Sequence, residues 1–398
     1  MKVLHLATSL LGGAGSAAVR IRDAQEKFGI DATLMSRTQE LRSDGVVLDS
    51  KLPFSTRIAS SSLTLFQAKV VQKSNELVTP MSLSTLKVDN QAINQYDLIN
   101  IHATYNFLNS FDLERFSNLG KPIVITLHDQ RVFTGGCHYS GACTQFTNKC
   151  QDCHLVRSPF RKLVSHSLSR QKNNTDGIEA LTFVSPSIWL ANQLEESSIG
   201  RGREIAVINN PIPEKYFQAE ISNSDGKSKR VGFISANLNN PYKGLDFLIN
   251  MLEEETLRKV SIESLNLVGS GEVPSNNLSL KIFKKIARND DVMIEILQQL
   301  DLLIVPSHQD NSPSVIGEAL SLGVPVMGSR VGGIPEILQK FDMPTFIDKN
   351  PQSFNTCLAQ SMSGRDRNLI RGKARHHFGE DHVASEYFNL YQELIHQR

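Results

Sequence analysis

Apolar and polar positions along the chain fall into two recurring patterns: short apolar runs of strand length, and longer stretches with apolar residues at helical spacing. Their alternation predicts parallel strands joined by helices, an α/β fold. Residues 2–8 (KVLHLAT) read as a first strand. The loop 9–15 then turns on three glycines, Ser16 would cap a helix running through Lys27, Gly29 would end it, and residues 30–35 give a second strand. Residues 96–102 (YDLINIH) and 122–128 (PIVITLH) read as successive buried strands, each ending in a histidine, His102 and His128. A basic helical stretch, 158–172, precedes a strand at 182–185, and Ser185 or Ser187 would cap the helix that follows. Residues 205–213 close this first set of strands, with a linker expected near 211–225. Strands at 230–234 and 265–271 begin a second set, and 387–395 has the spacing of a terminal helix.

The most strongly patterned stretch is 301–336, DLLIVPSHQDNSPSVIGEALSLGVPVMGSRVGGIPE. The apolar run 302–306 predicts a buried strand. A helix follows, with Ser312 as N-cap, Pro313 in the first helical position and Gly323 where a left-handed residue would stop it. The amides of Ser314, Val315 and Ile316 would point back into the loop with the positive end of the helix dipole behind them, a setting for a phosphate. Gly317 inside the helix costs about 1 kcal/mol relative to alanine, so a close neighbour is expected there. Asp310 and Glu318 flank the same anion pocket, and carboxylates suit sugar hydroxyls better than phosphate. The plain alternative is an ordinary βαβ unit with surface acids.

Composition narrows the classes. The length of 398 residues suits two domains, and 42 Lys and Arg against 41 Asp and Glu argue against a nucleic-acid partner. The apolar start runs straight into the glycine loop rather than reading as a leader, and no run approaches the about 20 apolar residues of a membrane span, so the chain reads as cytoplasmic. Residues 52–71 mix apolar positions with lysine and arginine. They fit either an interfacial helix resting on anionic lipid, at the inner face of the membrane, or a core-facing helix with solvated lysines. Four of the five cysteines, Cys137, Cys143, Cys150 and Cys153, share one loop. Three fates remain open for them: a structural zinc, reduced thiols, or disulfides. Gly13, Gly15 and Ala18 satisfy GxGxxA, which leaves an NAD(P)-dependent oxidoreductase as an alternative, with Arg37 as a weak hint of a 2′-phosphate.

The spacing Dx7E from Asp310 to Glu318, followed by EALSLGVPVMGSRVGGIPEIL, resembles the acidic motif of the retaining GT-B glycosyltransferases of family 4. The segment HDQRVFTGGCHYSGAC resembles the HDxxxFTGGCHYSGxC stretch of a bacterial exopolysaccharide branch of that family. The resemblance implies two Rossmann-like doubly wound domains facing across a cleft, residues 1–212 binding acceptor and 213–378 binding donor, with residues 379–398 as a helix crossing back. It implies transfer of a sugar from a nucleotide-sugar to a glycan or lipid-linked glycan, without a metal cofactor, in polysaccharide synthesis. Carried over, Glu318 takes the ribose hydroxyls, Asp310 lies at the transferred sugar with the amides from Asn311 to Val315, and His128 faces that sugar. Gly12 and Gly13 approach the donor diphosphate, and Lys243 grips it. Two positions depart from the pattern. Asp310 is one methylene shorter than the usual glutamate, and Asn237 stands where the family has an arginine, so that Lys243 with the helix terminus, or Arg330, would have to supply the missing charge. A catalytically weak nucleotide-sugar-binding protein is the alternative these departures leave. Residues 274–291, where the base would be read, are short and polar.

Overall fold

The computed structural model describes residues 1–37, 54–73, 77–83, 89–103, 105, 107–108, 110–222, 229–252, 262–273, 281–286 and 289–396. Residues 52–53 of the basic apolar segment, 223–225 of the linker, and 274–280 with 287–288 of the polar stretch lie outside them. Among the described residues no helix is long and apolar enough to cross a membrane. The chain forms two units, Met1–Asn209 with Val383–Arg398, and Asn210–His382.

In the first unit, six parallel strands are described: β1 (Lys2–Ala7), β2 (Asp31–Ser36), β3 (Leu98–Ile101), β4 (Ile123–Thr126), β5 (Leu181–Ser185) and β6 (Ile205–Val207), in the order β2-β1-β3-β4-β5-β6. Every residue of β3, β4 and β5 is buried, which is why these runs are apolar without alternation. The period of two splits the sheet into faces. Leu4, Leu6, Ile99, Ile101, Ile123 and Ile125 enter one core. Val3, Leu98, Val124 and Val184 enter another, which the terminal helix Glu380–His396 closes with Val383, Tyr387, Leu390, Tyr391 and Leu394. The last helix of the chain thus belongs to the core of its first half.

The second unit holds β7 (Lys229–Asn237), β8 (Ile262–Ser270), β9 (Lys281–Lys285), β10 (Leu302–Val305), β11 (Val326–Ser329) and β12 (Thr345–Phe346), all parallel, in the order β12-β11-β10-β7-β8-β9. Counted within the unit, this is the doubly wound order of a Rossmann fold, reversing between β7 and β10.

Two helix starts differ from the sequence expectation. The first helix spans Gly12–Phe28, so Ser16 lies inside it and Leu11, without a side-chain bond, occupies the cap. Gly12 makes this possible with a left-handed φ of 74°, and a Cβ on Gly15 would fall 2.5 Å from the Ser9 carbonyl oxygen. Gly15 is therefore accounted for by packing of the helix on its own loop. The second case is the helix Ser314–Ser321, which starts after Pro313 rather than at Ser312. Gly323 does end it, with φ of 72°.

The basic apolar segment also departs from expectation. A helix, Phe54–Phe66, continues as a π-turn, Gln67–Val71, through the three serines expected to weaken it. Its buried positions include Ser60, Gln67 and Val71, whereas Ile58, Leu65, Phe66 and Val70 are exposed. The core-facing alternative is thus reversed at those four positions, because polar groups take the inner side: Arg37 Nη1 donates to Ser60 Oγ at 2.7 Å, and Met81 N–H donates to Gln67 Oε1 at 2.9 Å.

Candidate active site

Where strand order reverses in a doubly wound sheet, the loops leaving the two central strands diverge and open a crevice at their carboxyl ends. In the second unit those strands are β7 and β10. Their loops are pinned to each other: His308 N–H donates to the Tyr242 carbonyl at 2.8 Å, and a Cβ on Gly244 (φ 75°) would fall 2.0 Å from the Pro306 carbonyl oxygen. Lys243 Nζ thereby reaches Asp310 Oδ2 at 2.6 Å, and Ser307 Oγ donates to the same oxygen at 3.2 Å. From the other side, Gly333 N–H donates to the Asp310 carbonyl at 3.3 Å. Gly332 (φ 57°) lies so close that a Cβ would stand 1.6 Å from that oxygen. Asp310 and Asn311 are buried. A carboxylate offers about four lone-pair directions, so Asp310 can hold Lys243 and still accept from a hydroxyl.

The helix Ser314–Ser321 begins beside this pair. Ile316 N–H, expected to point at a ligand, instead donates to the Pro313 carbonyl at 3.0 Å, which leaves Ser314 and Val315 as the first-turn amides. Glu318 is buried one turn further on. The close neighbour predicted at Gly317 is Ile212, whose Cδ1 and Cγ1 would each lie 3.1 Å from an added Cβ.

Asn237 is occupied structurally. Its Oδ1 accepts from Asn239 N–H at 2.9 Å, turning the loop, and a Cβ on Gly271 would lie 2.7 Å from the same oxygen. An arginine could not make this turn. Arg330, the other candidate for the missing charge, directs Nη2 to the Thr345 carbonyl at 3.4 Å and its backbone N–H to Phe346, along β12. Sequence reasoning gave His308 no role, yet its Nδ1 lies 2.7 Å from Asp348 Oδ1, one loop away from Asp310.

In the first unit Gly12 and Gly13 are exposed at the start of their helix, with open space where a Cβ would point. His128 follows β4 and joins a line of histidines. Its Nε2 is 3.0 Å from His102 Nδ1, and His102 Nε2 is 3.0 Å from His5 Nδ1. His5 Nε2 meets Gln25 Oε1 at 3.0 Å, and Gln25 Nε2 donates to Tyr391 Oη at 3.2 Å. Asn100 Nδ2 donates to the same phenol at 2.6 Å, while Thr126 Oγ1 donates to Asn100 Oδ1 at 2.9 Å. Burial pulls His5 and His128 down to about 4 and holds His102 well below its ordinary value. Beside them, burial alone would raise Asp129, but His138 (Nδ1 to Oδ2, 2.7 Å) and Arg131 hold its carboxyl low.

Cys137, Cys143, Cys150 and Cys153 are free thiols around one cavity of about 20 Å³. Cys137 Sγ donates to the Tyr139 carbonyl at 2.6 Å, and burial pushes the Cys150 thiol up to about 11. Among the described residues no group of three or more His, Cys, Asp or Glu side chains is arranged to hold a metal ion.

Residues 228–363, which contain Lys243, Asp310 and Glu318, match the family model described as Glycosyl transferases group 1. The chain is similar to WcaC of Escherichia coli K12, named for colanic acid biosynthesis glycosyl transfer, at 26% identity over 294 residues, 68% of each chain. Among solved structures it is similar to HepE of Anabaena in complex with UDP, with a TM-score of 0.63 and 15% identity over 99% of this chain and 100% of that one. It is likewise similar to sucrose-phosphate synthase from Thermosynechococcus elongatus, with a TM-score of 0.63 and 12% identity over the full length of both. At such identities the structures speak for the fold, which is GT-B: two Rossmann-like doubly wound domains.

Proposed function

We propose that this chain is a glycosyltransferase that moves a sugar from a nucleotide-sugar donor to a glycan or lipid-linked glycan, with retention of anomeric configuration, in bacterial polysaccharide synthesis at the cytoplasmic face of the membrane. One observation carries the reading: the family-matched segment contains both loops of the second switch point, and these join Lys243 to Asp310 beside the start of the helix that bears Glu318. The similarity to WcaC supports the polysaccharide context, and the UDP in the HepE structure makes UDP the first nucleotide to test.

In this reading the acceptor oxygen bonds to the anomeric carbon as the bond from that carbon to the diphosphate breaks. The electron pair leaves with the diphosphate, and the acceptor's proton passes to a phosphate oxygen on the same face, which keeps the configuration. The Lys243 ammonium and the first-turn amides of Ser314 and Val315 neutralise the charge that grows on the leaving group. Glu318 accepts from the ribose hydroxyls. Asp310 and His128 are assigned to hydroxyls of the transferred sugar, and Gly12 and Gly13 to the diphosphate.

Calorimetry of UDP, GDP and NADPH binding to the wild-type protein and to Glu318→Ala tests the site. Binding of one nucleoside diphosphate, weakened by the substitution, is expected; binding of NADPH alone would overturn the reading. Retention is tested separately by the anomeric proton coupling of the first product formed.

A further inference from the structure

Residues 54–71 turn a polar side inward and an apolar side outward. Ile58, Leu65 and Lys69 recur at helical spacing on the side away from Ser60 and Gln67, and Phe66 and Val70, four residues apart, stand beside them. Ile58 is 50% and Leu65 56% exposed. Single exposed apolar residues are ordinary on any protein, but four gathered on one side of a short segment make a patch.

The patch extends onto a second element. The Phe66 ring meets Phe160 edge-on at a centroid separation of 5.9 Å. Lys73 N–H donates to the Leu155 carbonyl and Arg157 N–H to the Val71 carbonyl, each at 2.9 Å. These contacts set residues 155–160 against the end of the first segment and bring the exposed Arg157 and Lys162 into its neighbourhood. Charge there has one sign. Neither 54–73 nor 153–175 contains an aspartate or glutamate, although the chain has 41. Lys69 and Lys73 are exposed as well. Asp152, just before the second stretch, lies 3.8 Å from Arg161 Nη1 and offsets that charge.

An exposed apolar side bordered by cations calls for an occupant that is anionic at its surface and apolar beneath. A bilayer with anionic headgroups is both. A nucleic acid would engage the cations and leave Ile58, Leu65 and Val70 in water. A second copy of the chain across a two-fold axis would set Lys69 and Lys73 against their own counterparts.

We propose that residues 58–73 and 157–162 form one docking face for an anionic phospholipid surface. Ile58, Leu65, Phe66 and Val70 enter the boundary between headgroups and acyl chains, and Lys69, Lys73, Arg157 and Lys162 lie among the phosphates. The face stands apart from the transfer reading above; only its use, holding the enzyme where a lipid-linked acceptor is presented, rests on that reading.

The test is flotation of the full chain with vesicles of phosphatidylcholine, alone or mixed with phosphatidylglycerol. Binding is expected on the mixed vesicles, weaker on phosphatidylcholine alone, and declining as sodium chloride is raised. Lys69→Glu combined with Lys73→Glu is expected to weaken it about 30-fold or more, and Ile58→Gln combined with Leu65→Gln about tenfold or more. Leu369→Gln, which removes a similarly exposed leucine from the helix Arg367–Phe378 of the second unit, is expected to bind as the wild type does. A wild-type protein that binds neither vesicle, or both equally, overturns the proposal, as do patch variants that bind unchanged. Self-association of the wild type that the patch variants abolish, without vesicle binding, would give the face to a second copy and likewise overturn it. If a double variant fails to fold, Leu65→Trp decides: mixed vesicles of brominated lipid are expected to quench its fluorescence, and unquenched emission overturns the proposal. Vesicle binding together with no binding of UDP or GDP would remove the transfer reading and leave the docking face standing.

Discussion

Lys243 and Asp310, 67 residues apart in sequence, form a contact of 2.6 Å between Nζ and Oδ2 at the switch point of the second sheet. Sequence comparison assigns them separate roles, one on phosphate and one on sugar, yet each depends on the other for its position. Charge-assisted hydrogen bonds contribute about 1.5–3 kcal/mol, so Lys243→Ala is expected to lower kcat/KM about 10- to 150-fold. Asp310→Asn should lose less alone, and the double variant should lose clearly less than the two losses added. Steady-state kinetics with the nucleotide-sugar chosen by calorimetry checks this; strict additivity would remove the coupling.

Glycines in the two loops differ sharply in what a side chain would meet. Gly244→Ala places a methyl 2.0 Å from the Pro306 carbonyl at a left-handed φ, and a strained backbone of that kind costs about 1–3 kcal/mol. A lowered melting temperature and weaker nucleotide binding are expected together, because the same contact aligns Lys243. Gly372, exposed in the helix Arg367–Phe378 with nothing near an added Cβ, is the contrasting case. Gly372→Ala is expected to stabilise by about 0.5–1 kcal/mol and leave binding unchanged, as read from urea unfolding.

The histidine line makes stability fall with acid. His5 and His128 titrate near 4 in the folded chain because burial disfavours their charged forms, with Arg22 adding to this at His5 and Asp129 opposing it at His128. The unfolded chain titrates near 6.5, so between about pH 6.5 and 4 it binds more protons than the folded one. Stability supplied by the neutral rings is complete above pH 6.5 and drains away as pH drops toward 4. With His102 included, the slope approaches about 4 kcal/mol per pH unit for three protons. Melting temperature followed from pH 7.5 to 4.5 should fall steeply, with net proton uptake on unfolding; a flat profile would mean that the rings are already charged or exposed.

The cysteine loop gives a chemical test. A Cys150 thiol raised from 9.0 to about 11 holds about a hundredfold less thiolate near neutral pH than an ordinary one. Alkylation of Cys150 in the native protein, followed by peptide mapping, is expected to be slow by that factor and to become fast in urea. Zinc released in step with thiol modification, detected with a chromogenic chelator, would instead favour the metal-bound alternative.

Much of the architecture was legible because buried parallel strands are nearly uninterrupted apolar runs, and β3, β4 and β10 stand out from the polar loops that bound them. His102 and His128 were legible as polar residues ending such runs. His5 was not, since one histidine inside KVLHLA looks like ordinary strand alternation, and the phenol bonded to its partner Gln25 lies 366 residues further on. The misplaced helix starts have a related cause. Serine is a strong cap signal, but Leu11 and Pro313 fill the cap positions without any side-chain bond. The inverted face of residues 54–71 does not show in the sequence because Ser60 and Gln67 bond to Arg37 and Met81, partners that no periodicity announces.

The return of the helix Glu380–His396 to the first sheet also bears on how the protein is made. The strands it covers emerge from the ribosome before any of Asn210–His382, and the residues that cover them, Val383 to Leu394, emerge after all of it. At about 5–20 residues per second, Val124, Val184 and the polar line beneath Tyr391 wait on the order of ten seconds or more for their lid. The unit begun first is therefore the one completed last, and a chain cut after residue 382 would lack the residues that cover that apolar face while keeping every residue of its second unit.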